Sequence, residues 1–176
     1  PGAWGPPGTW MNPRVSELLP SLVPTTVAGI YAGRAGLFET PVIAALSHGA
    51  IRLLYTRWLL DPPCPADPLP RRQLLEALAS ARGPQPPFVS PARAKELLLL
   101  EGRRIGVLSY CWLTAGHPDP FALHLSALQA FLRSKQQPDG IPFVDAVFWD
   151  FASLPQHPRT EAEQALFQQG LSVIML

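Results

Sequence analysis

The chain has 176 residues, 47% of them hydrophobic and 15% charged, and a formal net charge of +1. This length holds one ordinary domain, or a small domain and an extension. So few charges exclude disorder of the charged kind, and so even a balance excludes a dedicated binder of nucleic acid or of acidic membrane, which needs a basic excess.

The chain divides near Gly102. The first hundred residues hold 16 of the 22 prolines, with nine basic against six acidic residues; the remaining 76 hold five basic and seven acidic. Pro1 to Pro24 is rich in Gly, Pro and Trp, has no period, and reads as an extended lead-in. Thr40-Pro41 then reads as a cap followed by proline at the first helical position. The set Ile43, Leu46, Ala50, Leu53, Leu54 and Trp58 follows at helical spacing, until Asp61-Pro62-Pro63 stops it. A second short helix is expected over Pro70 to Ala81, with Leu74, Leu75 and Leu78 on one face and Gly83-Pro84 after it. Ser90-Pro91 starts a third, carrying Ala94, Leu97 and Leu98 up to Gly102.

Beyond Gly102 the signal changes. Ile105 to Tyr110 is a short apolar run, suited to a buried strand. Asp119-Pro120 caps a helix whose inward face is Phe121, Leu125, Leu128, Phe131 and Leu132. Pro138-Asp139-Gly140 is a turn, and Ala146 to Phe151 is a second strand. Thr160 and Glu163 form a capping box for a helix that turns Ala162, Leu166 and Leu171 inward. Strand, helix, strand, helix implies α/β architecture with a parallel sheet and flanking helices. Two strands do not make a stable sheet, so a further strand is expected, either among the upstream prolines or beyond Leu176. The apolar run Leu171 to Leu176 has no cap after it, which reads as a segment of a longer protein. The longest apolar stretch, Val42 to Leu60, is broken by His48, Arg52 and Arg57, so no membrane span is expected. Two cysteines build neither a disulfide framework nor a four-ligand zinc site, and no export signal precedes them; a cytoplasmic location is expected.

Two blocks in residues 103–176 carry a resemblance. The first is Leu108-Ser109-Tyr110-Cys111-Trp112; the second runs from Val147-Phe148-Trp149-Asp150 to Gln156 and on into the acidic helix after Thr160. Together they resemble the TIR/HET superfamily, and most of all its heterokaryon-incompatibility branch, whose first strand reads Leu-Ser-Tyr-x-Trp and whose second leads into an Asp and then a Gln. The resemblance implies a partial flavodoxin-like (TIR-like) fold for residues 103–176; residues 1–102, read from their own prolines and helical spacing, are a mainly helical, proline-rich extension before it. It implies a role in signalling or in stress and incompatibility responses, self-association or protein partners, and NAD or a related nucleotide as ligand or substrate. The sequence departs from the family in two ways. Leu113 stands where the family has Gly after the Trp, and nothing here corresponds to the later segment that carries the catalytic Glu of NAD-cleaving TIR enzymes. No catalytic residue is therefore assigned.

In an open parallel sheet, ligands bind at the carboxyl ends of the strands. Both blocks end there, which makes Ser109, Tyr110, Trp112, His117, Asp119, Asp150 and Gln156 the candidate ligand-binding residues, with no metal site and no certain cofactor. Rings can stack a base, and a carboxylate can hold ribose hydroxyls. Each residue also has a structural reading: Asp119 as a helix cap, Trp112 as packing, and Gln156 as a loop brace. Cys111 near His117 and Asp150 offers a rival thiol site, and Trp4, Trp10, Tyr55 and Trp58 a rival aromatic docking patch. The alternative to a nucleotide-directed domain is a non-catalytic protein-interaction or scaffold module. A phosphate-loop enzyme is disfavoured, because no glycine-rich loop of the required spacing exists.

Overall fold

The computed structural model describes residues 35–60, 68–81, 86–99, 104–136, 141 and 143–175. Along the chain the elements are α1 (Ala35–Ser47), β1 (Leu54–Tyr55), α2 (Thr56–Leu60), α3 (Arg72–Ala81), α4 (Pro91–Leu99), β2 (Ile105–Leu108), α5 (Leu123–Ser134), β3 (Ala146–Trp149), α6 (Asp150–Ser153) and α7 (Glu161–Ile174). The readings made on Pro1 to Pro24, Asp61-Pro62-Pro63, Gly83-Pro84, Gly102 and Pro138-Asp139-Gly140 lie outside the described residues, as do Trp4 and Trp10.

The architecture is mixed α/β, with a three-stranded sheet in the order β1-β3-β2. β2 and β3 run parallel, in register from Ile105 opposite Ala146 to Leu108 opposite Trp149, with α5 between them in the chain. The all-parallel expectation stops at that pair. The third strand comes from upstream, and Leu54-Tyr55 pairs antiparallel with Ala146-Val147. Its backbone is held from both sides: Tyr55 N–H donates to the Pro87 carbonyl at 2.9 Å, and Thr56 N–H to the Asp145 carbonyl at 3.0 Å. An antiparallel strand needs no crossover helix, so two residues caught between such partners suffice.

That strand replaces the middle of the long helix expected from Pro41 to Trp58. α1 starts earlier, at Ala35, keeps Pro41 inside it, and ends at Ser47. Gly49 follows with φ +73°, the left-handed conformation that glycine takes without side-chain strain and that commonly closes a helix. Leu53, Leu54 and Trp58 are buried as expected, but from a loop, a strand and the short α2. α3 and α4 lie where the sequence places them. Ser90 caps α4 by accepting the Arg93 N–H at 3.2 Å. On α3, Leu75 is buried but Leu74 is half exposed.

α5 begins later than Asp119-Pro120 suggests. Its N-cap is Ala122, with φ 50°, a rare conformation for a residue with a side chain. Phe121, expected to face inward, precedes the helix and is 71% exposed, whereas Leu125, Leu128 and Leu132 are buried. β3 also ends sooner than expected: Asp150 opens the short α6, and the Ser153 hydroxyl accepts the Trp149 N–H at 3.0 Å. α7 carries the expected capping box, Thr160 with Glu163. Its buried residue is Gly170; Leu166 and Leu171 are half buried and Ala162 is exposed.

Alternate residues of β3 feed two apolar clusters, as a strand's period of two requires. Val147 and Trp149 join Leu54, Trp58, Leu59, Leu125 and Leu128; Ala146, with Phe148 against it, joins Leu46, Leu53, Leu97 and Leu154. Both clusters take side chains from before and after Gly102. Among the described residues no helix is long and apolar enough to cross a membrane.

Candidate functional site at the strand ends

Parallel pairing in register brings the carboxyl ends of β2 and β3 side by side. Ser109-Tyr110 leaves one and Asp150 leaves the other. Tyr110 Oη donates to Asp150 Oδ1 at 2.7 Å, so the two sequence blocks meet in one hydrogen bond. The Tyr110 ring lies 4.9 Å from the His124 ring and 5.6 Å, edge-on, from Trp149. Burial raises the Tyr110 phenol well above the usual tyrosine range, and the hydrogen bond to Asp150 and its negative charge add to the shift. The Trp149 indole N–H, which no acceptor among the described residues meets in good geometry, pulls the other way.

Asp150 Oδ1 also accepts the Phe151 N–H, at 2.6 Å, at the start of α6. Gln156 does not reach into the crevice. Its carboxamide N–H donates to the carbonyls of Asp150 at 3.2 Å and Leu154 at 3.0 Å. Its backbone exchanges two hydrogen bonds with the Gln73 side chain, and Arg71 beside Gln73 donates to the His157 carbonyl at 2.6 Å. The loop after β3 is thereby tied to the start of α3.

The loop after β2 is closed on itself. Leu113 N–H donates to the Pro118 carbonyl and Thr114 N–H to the His117 carbonyl, at 3.0 and 3.3 Å. His117 Nδ1 accepts the Asp119 N–H at 3.0 Å, which leaves Nε2 protonated and facing the Leu69 carbonyl at 3.2 Å. With both nitrogens engaged, His117 is not placed to serve as a base for Cys111, which is an exposed free thiol. Asp119 is fully buried, and its carboxylate accepts the N–H groups of Leu123 at 2.7 Å and Leu125 at 2.9 Å. Trp112 is 46% exposed, its ring perpendicular to that of Phe151, and Ser109 is exposed. The structure thus brings Tyr110 and Asp150 together, commits His117, Asp119 and Gln156 to backbone groups, and leaves Ser109 and Trp112 open. Among the described residues, no group of three or more His, Cys, Asp or Glu side chains could hold a metal ion.

No family model, curated protein or solved structure matches the chain.

Two residues outside the candidate set shape the site; the sequence reads one of them, His124, as a surface or packing residue of a helix. His124 is buried against Tyr110, with neither ring nitrogen paired among the described residues. Its place four residues before Leu128 on α5 was the available signal. Arg72 is buried at the start of α3 and donates to the carbonyls of Gly49, Ala50 and Ser153, at 2.6, 3.1 and 3.1 Å, and to Glu76 at 3.0 Å. Desolvation lowers its pKa, and Glu76 opposes that shift. In sequence, Arg71-Arg72 is indistinguishable from a solvated pair.

Proposed function

We propose that this chain is a signalling or stress-response module of TIR/HET-like kind that works by protein contact, self-association above all. The observation that carries this reading is the division of labour at the strand ends. The polar candidates there other than Ser109 close on one another and on the backbone, while Trp112, Leu113, Phe121 and Leu123 are left exposed on either side of His117-Pro118-Asp119. Exposed apolar side chains gathered near one loop are what a contact surface needs. The Tyr110–Asp150 hydrogen bond supports the resemblance, because it joins the two motif blocks across adjacent parallel strands.

A second reading is nucleotide binding at the same crevice, with NAD as the first ligand to try. One observation favours it: the second carboxylate oxygen of Asp150 makes no hydrogen bond among the described residues, and Ser109 and Trp112, which follow the neighbouring strand, are exposed.

Sedimentation equilibrium over a wide concentration range tests the first reading, which expects reversible association. A chain that stays monomeric at every concentration overturns it. NAD titration, with nicotinamide release followed by chromatography, tests the second. Binding that Asp150→Ala abolishes would favour the nucleotide reading, and release of nicotinamide would make the chain an enzyme.

A further inference from the structure

β2 is an edge strand. In the order β1-β3-β2 it has β3 on one side and, among the described residues, no strand on the other. The Arg104 carbonyl accepts the Ala146 N–H at 3.3 Å and the Asp145 N–H at 2.8 Å. That fixes which residues face β3, because in a parallel strand the N–H and C=O of one residue point the same way and the direction alternates along the chain. Arg104, Gly106 and Leu108 turn their backbone groups to β3. Ile105 and Val107 turn theirs outward, and no hydrogen bond to those groups exists among the described residues. The usual guards of an edge are missing from it: Ile105-Gly106-Val107-Leu108 contains no charge and no proline.

We propose that this edge pairs with the same edge of a second copy of the chain, antiparallel about a two-fold axis at Val107. The proposal rests on the self-association reading above and assigns it a surface. Backbone geometry asks for an extended strand as the occupant, and charge selects this chain as the one that supplies it. With the axis at Val107, Val107 exchanges both hydrogen bonds with its symmetry mate. Gly106 comes opposite Leu108 of the partner subunit, Ile105 opposite Ser109 of the partner subunit, and Arg104 opposite Tyr110 of the partner subunit. Tyr110 holds the Asp150 carboxylate at 2.7 Å. The basic end of each strand therefore meets the acidic end of its mate, twice by symmetry. A parallel pairing of the two edges would instead set Arg104 against Arg104. Arg104 also holds Asp145 of its own chain at 3.0 Å, which keeps its guanidinium at the start of the strand. The product is one continuous six-stranded sheet with a self-complementary interface, which saturates at the dimer.

The test compares the unmodified chain with Val107→Pro and Val107→Lys by sedimentation equilibrium, with far-UV circular dichroism as the check on folding. Proline removes only an outward N–H, so the ladder to β3 survives; lysine keeps that N–H but sets like charges face to face at the axis. The unmodified chain is expected to form a dimer, and both variants to associate about tenfold or more weakly, the proline variant through a lost pair of hydrogen bonds and the lysine variant through like-charge repulsion across the axis. If the proline variant unfolds, the lysine variant decides. Hydrogen exchange at the Val107 amide is expected to slow as the dimer forms. A dimer that survives both substitutions, or a Val107 amide that exchanges equally fast in monomer and dimer, overturns the edge and leaves the self-association reading standing. A monomer at every concentration overturns both.

Discussion

Tyr110 holds a proton that the unfolded chain releases near pH 10, because burial and the Asp150 carboxylate both oppose the phenolate. A group with a raised native pKa stabilises the fold below its unfolded pKa, and that contribution is lost as pH rises above it. Urea unfolding at stepped alkaline pH should therefore show a shallower loss of stability above about pH 10 in Tyr110→Phe than in the unmodified chain. Equal slopes would mean that the folded chain holds the Tyr110 proton no more tightly than the unfolded chain does. Asp119 acts at the other end of the same loop. Asp119→Ala removes two charged hydrogen bonds from the start of α5 and should cost about 1–2 kcal/mol by urea unfolding at neutral pH. A carboxylate before a helix was readable from sequence as a cap. The distance over which it acts was not, because Ala122 takes a left-handed turn that alanine does not favour by itself. Such a turn is imposed by packing around the buried Ala122 and Asp119.

At the scale of the element, α7 shows local rules working and then yielding. The capping box at Thr160 and Glu163 is an affair of four consecutive residues, so the sequence suffices to place the start of the helix. Gly170, in the middle of the same helix, is a poor helix former, and local propensity predicts that Gly170→Ala gains about 1 kcal/mol. The tertiary structure reverses that sign. An added Cβ would sit 2.6 Å from Leu154 Cδ2 and 3.1 Å from the Ala50 carbonyl oxygen. Leu154 can move; the Ala50 backbone, whose carbonyl Arg72 also holds, cannot follow cheaply. Gly170→Ala should thus lose about 1 kcal/mol or more, seen as a lower urea midpoint with an unchanged slope. A raised midpoint would show that α7 can lift away from the segment after α1. The same contrast explains the break at Gly49. Apolar spacing from Ile43 to Trp58 satisfies a helix, yet one glycine in the left-handed region turns the chain and lets Leu54-Tyr55 join the sheet.

Across the whole molecule, Arg72 does what no single element can do. Its guanidinium gathers the carbonyls that follow α1 and the one that ends α6, with Glu76 one helical turn away. Arg72→Met would fill a similar volume but leave three carbonyls without this donor, and should cost about 2–4 kcal/mol in urea unfolding. A near-neutral result would mean that water replaces the guanidinium at this junction. The sequence by itself determined the β2–α5–β3 unit, the starts of α4 and α7, and the adjacency of the two strand ends, for apolar runs and caps act between near neighbours. Only the tertiary structure decided that β1 closes the sheet antiparallel, that Arg72 is buried, that His117 faces the Leu69 carbonyl, and that Gln156 is tied to Gln73. Those arrangements join residues as far apart as Arg72 and Ser153 or Gln73 and Gln156. Such pairs meet only once the chain has closed around β3, and no local pattern encodes which buried carbonyl a distant side chain will find.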